Sequence, residues 1–335
     1  MPSNPQKKLS IIIPLYIVEK YVTNITNSII TQTFDGLEVI LIDDGSTDSS
    51  LNVFTNNLST LAPITISQPN KGLSAARNAG ILKATGEYLL FLDADDFLLP
   101  NALKNIIEML ETDKPDVLFG RYLRWNPRTG FIKSPDYNYQ PPNDNKKRTE
   151  YILSALPESS WNAWRYVCRR SLILEKELFF EVGILCEDVP WTLRLLENVD
   201  SISFLKTPFY AYYQHRPGSI MSSVNSKRLI DLNATVLDLL NKYKNRPVLC
   251  RSLVKQSFYY INEYCKFKKY DRIKVLESYR SVLPLYKNSN FLLHQTVGKC
   301  HNFILFYGVS IGLFASKIVY KRYKDVYNNM HKAIQ

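Results

Sequence analysis

Tyr88-Leu89-Leu90-Phe91-Leu92 runs straight into Asp93-Ala94-Asp95-Asp96. A short run of large apolar residues that stops at turn-forming residues reads as a strand buried on both faces. The same construction occurs twice upstream. Leu9-Ser10-Ile11-Ile12-Ile13 leads into Pro14-Leu15-Tyr16, and Leu37-Glu38-Val39-Ile40-Leu41-Ile42 leads into Asp43-Asp44-Gly45-Ser46-Thr47-Asp48. Ligands of open α/β sheets sit beyond the carboxyl ends of the strands. Three strands of one sheet therefore bring their polar and acidic ends to the edge where a ligand belongs.

Between these strands the apolar period changes to that of helices. Tyr21, Val22, Ile25, Ile29 and Ile30 follow the first strand, and Leu51, Phe54 and Leu58 follow the second. A further strand is expected at Pro63–Ser67, an Ala-rich helix at Ser74–Ala84, and a helix over Ala102–Leu110 with Pro100 in its first turn. Asp116–Gly120 reads as a strand. The alternation predicts an α/β fold with a doubly wound, mostly parallel sheet. Residues 122–150, with Pro127, Pro135, Pro141 and Pro142, lose periodicity and read as a long loop. Asp188–Leu196 reads as a helix, and Ser201–Leu205 and Tyr210–Tyr213 as two strands. Beyond Asn225 the pattern is helical: Leu229, Leu232, Val236, Leu239, Leu240 and Tyr243 line one face, and Leu253, Ser257, Tyr260, Ile261 and Tyr264 another.

Charge divides the chain at the same place. Of the 335 residues, 1–224 hold 22 Lys and Arg against 25 Asp and Glu, whereas 225–335 hold 20 against 6. The whole surplus of the +11 net charge thus lies in the last third. We expect two parts: residues 1–224, a ligand-binding and catalytic α/β domain, and residues 225–335, a basic helical region. A basic surface of that kind suits anionic lipid headgroups or nucleic acid. The acidic strand ends and the lack of zinc-finger, helix-turn-helix or RNA-binding signatures argue against nucleic acid. The apolar stretch Phe303–Ala315, followed by Lys317, Lys321, Arg322 and Lys324, is shorter than the ~18 residues of a membrane span. It fits a helix lying on an anionic membrane, or one packed on protein. The 5 cysteines are odd in number and scattered. They are read as reduced thiols of a cytoplasmic protein, and no secretory signal opens the chain.

Asp93-Ala94-Asp95 offers two hard oxygen ligands at a strand end, suited to Mg²⁺ or Mn²⁺ shared with a substrate phosphate. A solvated turn would look the same. Asp43 and Asp44 suit a polar ring edge or ribose hydroxyls, or a turn with a helix cap. Asn70, Lys71 and Arg77 suit an anionic ligand, or an exposed helix start. No G-x-G-x-x-G follows the first strand, which excludes a dinucleotide dehydrogenase.

In order, Pro14-Leu15-Tyr16…Glu19, Asp43-Asp44-Gly45-Ser46-Thr47-Asp48, Asn70-Lys71-Gly72, Ala76-Arg77-Asn78-Ala79-Gly80 and Phe91-Leu92-Asp93-Ala94-Asp95-Asp96 resemble the motifs of a family 2 glycosyltransferase of the GT-A fold. The resemblance covers roughly residues 9–222 and points to the bacterial surface-polysaccharide type. It implies a nucleotide-sugar donor, UDP-sugar by default, lying across the sheet edge. Pro14, Tyr16 and Glu19 would line the donor. Asp43 or Asp44 would contact the base and Arg77 the base or phosphates, with Asn70 and Lys71 nearby. Asp93 would contact the ribose beside Ala94, and Asp95 would bind a divalent metal, Mn²⁺ or Mg²⁺, on the diphosphate.

By the same resemblance His215 would reach that metal, and Arg216 and Ser219 would neutralise the leaving group. In Cys186-Glu187-Asp188, Asp188 would be the general base and Glu187 an acceptor contact. Trp164 and Trp191, with Trp161, would flank the acceptor. Ile17 stands where such enzymes usually carry Asn. The implied reaction is metal-dependent, inverting transfer of one sugar to a hydroxyl of a glycan or lipid-linked glycan. The implied place is the cytoplasm, peripheral on the inner face of the cell membrane, with homo-oligomers expected. The chain lacks the Gln-x-x-Arg-Trp motif of processive synthases. The competing readings are an inactive sugar- or nucleotide-binding protein of the same fold, a nucleotidyltransferase without its Gly-rich loop, and a nucleic-acid binder.

Overall fold

A computed structural model describes residues 7–132, 142, 144–154, 161–213 and 226–246, together with 249–250, 252–253, 256, 271, 274–275 and 277–278. The chain divides into two units, Met1–Ser223 and Val224–Gln335.

The first unit is built on one sheet. Its strands are β1 (Leu9–Leu15), β2 (Leu37–Asp43), β3 (Ile64–Ser67), β4 (Tyr88–Phe91), β5 (Phe97–Leu98), β6 (Val117–Asn126), β7 (Gly130–Ile132), β8 (Tyr166–Arg169) and β9 (Ile202–Tyr213). They lie in the order β3-β2-β1-β4-β8-β6-β9-β5, with β7 paired to β6. The block β3-β2-β1-β4 is parallel throughout. β8 then runs antiparallel to both β4 and β6, and β9 resumes parallel to β6. The chain starts at β1, steps outward to β2 and β3, and returns to place β4 on the other side of β1. The crevice at the carboxyl ends of β1 and β4 is thus the switch point where α/β sheets bind ligands.

The helices are α1 (Val22–Ile30), α2 (Ser50–Asn57), α3 (Leu73–Lys83), α4 (Ala102–Asp113), α5 (Asn145–Ser154), α6 (Arg170–Glu175) and α7 (Asp188–Glu197). The core of this unit is drawn from the predicted runs: Leu9, Ile11, Ile13, Val39, Leu41, Leu90 and Leu92, with Ile25 and Ile29 of α1 and Ile106 of α4. Such strands bury both faces because helices cover the sheet on each side. α3 lies close on the strands at Gly80, where an added Cβ would stand 2.4 Å from Cγ2 of Ile12. Close packing here fixes the residues before Gly80 over the sheet edge.

Three expectations are corrected. The span read as a loop at 122–150 begins as the second half of β6, continues into β7, and ends in α5. Its prolines lie outside those elements, so composition hid the strand. Ser201–Leu205 and Tyr210–Tyr213 form one strand, β9, whose pairing with β6 shifts register between Gly120 and Tyr122. That irregularity accommodates Lys206, Thr207 and Pro208, which break the apolar alternation. Pro100 precedes the N-cap Asn101 instead of sitting in the first turn of α4.

In the second unit, α8 (Ser226–Lys242) buries Leu229, Leu232, Val236 and Leu240. Asn233 donates from Nδ2 to Oγ of Ser278 at 2.9 Å, and Leu253 is buried. Ser257, Tyr260, Ile261, Tyr264 and the stretch from Phe303 to Lys324 lie outside the described residues. Among the described residues no helix is long and apolar enough to cross a membrane.

Candidate active site

The first two strand-end loops are tied together by hydrogen bonds. The amides of Ile17 and Val18 donate to Oγ of Ser46 and Ser50 at 3.2 and 2.8 Å. The amide of Glu19 donates to Oδ2 of Asp48 at 3.2 Å, and Oε2 of Glu19 accepts the Ser49 amide at 3.0 Å. Glu19 therefore caps the start of α2 and holds the loops. Pro14 is buried inside β1. Tyr16 is 48% exposed and stands free to face a ligand. Ile17 adopts φ 51°, the left-handed region that Asn tolerates and a β-branched residue resists.

Asp43 and Asp44 are adjacent but do different things. Asp44 is buried, and its Oδ1 accepts the Lys71 amide at 2.8 Å and Nε2 of Gln68 at 2.7 Å. Its Oδ2 accepts the Gly72 amide at 2.8 Å. This carboxylate shapes the Asn70-Lys71-Gly72 loop. Asp43 is half-buried, and its Oδ1 accepts the Ser46 amide at 3.0 Å. Gly45, at φ 79°, lies where a Cβ would come within 2.9 Å of the Asn70 nitrogen. The loop positions of Asn70 and Lys71 thus depend on Gly45 and Asp44 beneath them.

The centre of the site is Arg77 on α3, whose side chain is 1% exposed. Its Nη2 donates to Oδ1 of Asp93, just beyond β4, at 2.9 Å. Its Nη1 donates to Oε1 of Glu187 at 2.8 Å and Oδ1 of Asp188 at 2.9 Å, at the start of α7. The guanidinium also lies 5.2 Å from the centre of the Phe180 ring. Phe180 is held by Asn78, which donates to its carbonyl at 2.9 Å and accepts its amide at 2.8 Å. Arg77 is therefore enclosed by carboxylates and an aromatic ring.

Three carboxylates around one guanidinium leave negative charge in excess. Burial pushes the Asp188 carboxyl up, to about 7; Arg77 opposes the rise, Glu187 and Asp93 add to it, and an amide hydrogen bond from Ala163 opposes it. Glu187 is raised by burial as well, against the pull of Arg77. A carboxyl near neutrality beside a crevice is suited to accept a proton. Cys186, just before the pair, adopts φ 65°, so the turn into α7 carries backbone strain that aims Glu187 and Asp188 inward.

Asp96 is a site residue the sequence reading passed over. It is buried; its Oδ2 accepts the Tyr210 hydroxyl at 2.6 Å and its Oδ1 the Tyr213 amide at 2.7 Å. Burial, then the charges of Asp95 and Asp93, raise its carboxyl well above the ordinary range. These bonds fasten the end of β9 to the Asp93–Asp96 turn. No spacing in the sequence pairs residue 96 with residue 210. Ala94 is buried within that turn, and Asp95 is half-buried.

Trp191 is fully buried, stacks on Phe180 at 4.6 Å, and donates from Nε1 to the Leu178 carbonyl at 2.9 Å. Trp164 is 1% exposed and stacks on Tyr210 at 4.2 Å. Trp161 is buried too. His215, Arg216 and Ser219 lie outside the described residues.

The family model described as Glycosyl transferase family 2 matches residues 10–165. The putative glycosyltransferase EpsH of Bacillus subtilis is 32% identical over 251 residues, covering 70% of each chain. The chain spans 63%, 31% and 62% of the length of three other curated relatives. Among solved structures, TarS residues 1–349 from Staphylococcus aureus, in complex with UDP-GlcNAc, superposes with TM-score 0.67 at 22% identity, over 84% of this chain and 81% of that one. A mannosyltransferase from Pyrobaculum calidifontis in complex with GDP-Man and Mn²⁺ gives TM-score 0.53 at 15% identity, over 93% and 86%. These two likenesses establish the GT-A fold. With the family model matched over residues 10–165 and EpsH 32% identical over 70% of each chain, the chain belongs to glycosyl transferase family 2.

Proposed function

We propose that the chain transfers one sugar from a nucleotide-diphosphate sugar, a UDP-sugar, to a hydroxyl of a glycan acceptor in surface polysaccharide synthesis. The observation that carries this reading is the convergence of Asp93, Glu187 and Asp188 on Arg77. It sets a strand-end carboxylate suited to a ribose beside a carboxyl suited to deprotonating an acceptor. The UDP-GlcNAc complex of TarS, on the same fold, supports the donor class. In this reading Asp43 meets the base, with Tyr16, Asn70 and Lys71 around it. Asp93 meets the ribose through the oxygen not given to Arg77. Asp188 takes the proton of the acceptor hydroxyl as that oxygen attacks the anomeric carbon, and the nucleoside diphosphate leaves from the opposite face. General-base help of this kind is worth about 10²–10⁴-fold in rate.

Within the turn at Asp93–Asp96, Asp95 is half-buried, and its charge helps to raise its neighbour Asp96. A cation held by one or two carboxylates together with substrate phosphates is the usual arrangement for hard divalent ions. Asp95 is the residue that would hold it. When bound, the cation would neutralise charge growing on the departing diphosphate. The surplus of Lys and Arg beyond residue 224 supports a peripheral place on an anionic membrane, where a lipid-linked acceptor would be met.

The test is thermal stability with a panel of nucleoside diphosphates, with and without Mn²⁺, in wild type and Asp95→Ala, followed by assay of sugar transfer from the nucleotide that binds. A ligand at 100 times its dissociation constant adds about 2.7 kcal/mol. A Mn²⁺-dependent shift with UDP, lost in Asp95→Ala, is expected. No shift with any nucleotide would overturn the reading.

A further inference from the structure

We propose that Arg77 is the positioning residue that joins the donor end of the site to its base: one guanidinium holds Asp93 through Nη2 and Glu187 and Asp188 through Nη1, and so fixes where Asp188 points and keeps it ready to take a proton. This goes beyond the role that resemblance gives Arg77, a contact to base or phosphate, and it rests on reading Asp188 as the base.

The geometry is specific. The three carboxylates come from two places distant in sequence, the end of β4 and the start of α7, and Arg77 reaches them from a third, α3. At 2.8–2.9 Å the contacts are charge-assisted hydrogen bonds in a fork, which a planar guanidinium makes and a single ammonium does not. The guanidinium is itself immobilised by the Phe180 ring, which Asn78 holds in place, and by the close fit of α3 on β1 at Gly80. Its Nε is buried with no hydrogen-bond partner. The side chain is thus placed for the carboxylates and not for its own saturation.

The charged groups facing Asp188 are Arg77 from α3, Asp93 from the end of β4 and Glu187 on its own chain, and the Ala163 amide is a neutral donor. Among the described residues Arg77 is the cation that faces it. Without it Asp188 would sit in a buried site with two like charges, protonated across the working range and free to swing. Any change that loosens Asp93 would also be felt at Asp188 through the same side chain.

The experiment titrates the side-chain carboxyl carbons of the full, ¹³C-labelled chain by NMR, with the Asp188 signal assigned by its loss in Asp188→Asn. In Arg77→Gln the Asp188 midpoint should rise by about one pH unit or more, and the rising limb of kcat/KM against pH should move with it. UDP binding, read by thermal shift, should weaken as well, because Asp93 loses the same hold. If Arg77→Gln does not fold, Arg77→Lys should raise the midpoint by a smaller amount, because one ammonium cannot serve both elements. An unmoved midpoint in the folded variant overturns the proposal, and loss of UDP binding with the midpoint unmoved returns Arg77 to a donor contact. The midpoint is read without turnover. If it moves and the activity limb does not follow, the assignment of Asp188 as base falls while the hold of Arg77 on it stands.

Discussion

Asp188 Oδ1 lies 2.9 Å from Nη1 of Arg77, and the same nitrogen serves Glu187 at 2.8 Å. Each of the two hydrogens on that nitrogen can serve one of the two adjacent carboxylates. Burial pushes the Asp188 carboxyl up, to about 7, despite this ion pair, and the charges of Glu187 and Asp93 add to the rise.

The first prediction follows from that value. Transfer should rise with pH through about 7 as Asp188 loses its proton, and Asp188→Asn should lower kcat by about 10²–10⁴-fold while UDP still binds. Stability should change with the opposite sign. The folded pKa is raised above the unfolded ~3.9, so the folded state binds more protons between ~4 and 7, and ionisation in the fold costs stability as pH rises through that window. Asp188→Asn should therefore gain stability over wild type at pH 8 and lose that advantage near pH 4. Thermal melts at the two pH values check it, and an advantage independent of pH would refute the buried-base account.

Asp44 makes a contrasting prediction. Its two oxygens accept two amides and a side-chain amide from the loop that carries Asn70 and Lys71. Asp44→Ala leaves these donors unpaired, and one buried donor left so costs about 1–3 kcal/mol. We expect a loss in that range or above, together with weaker UDP binding because the loop moves. Asp43→Ala should weaken UDP binding with little loss of stability. Paired melts with and without UDP separate the two residues.

The contrast between Asp43 and Asp44 also marks the limit of what the sequence discloses. The strands and their acidic ends were legible, because an unbroken apolar run such as Leu37–Ile42 needs both faces covered and its end must reach solvent. Which of two neighbouring aspartates turns into the loop was not legible, because it depends on where residues 68–72 arrive in space. The neighbours of Arg77 are not legible either: that α7 delivers two carboxylates to it depends on the tertiary fold. The same holds for Trp164 and Trp191, whose burial no spacing in the sequence discloses. The strand β6 was cut short because Arg121, Arg124 and Asn126 alternate with Tyr122, Leu123 and Trp125 on a half-exposed sheet, where polar residues are tolerated.

Ile17 supplies a prediction about strain. At φ 51° its β-branched side chain opposes the backbone, and the left-handed conformation costs roughly 1–2 kcal/mol for such a residue. The residue is 45% exposed, so little packing is lost on replacement. Ile17→Asn should therefore raise stability by about 1 kcal/mol, seen as a higher Tm at unchanged heat capacity of unfolding. A lower Tm would mean that Ile17 packs in a way its exposure does not suggest.

The last prediction concerns the opposite end of the sheet. Glu38 of β2 is buried, and burial alone would raise its carboxyl. Hydrogen bonds from the Ser10 hydroxyl, the Thr85 hydroxyl and amide, and the Gly86 amide outweigh that and lower it. The Thr85 hydroxyl and amide lie at 2.6 and 2.9 Å. A depressed folded pKa means that the stabilisation is fully present above the unfolded value of ~4.3 and is lost as pH falls through the lower folded value. Glu38→Gln keeps the shape but turns one acceptor oxygen into a donor facing donors. It should cost about 1–3 kcal/mol at pH 7, and the gap to wild type should close as both are taken below pH ~4. Denaturant unfolding at pH 7 and at pH 3.5 measures both quantities. A gap that stays constant across that range would show that the network stabilises β1, β2 and the turn before β4 by shape alone, without the charge.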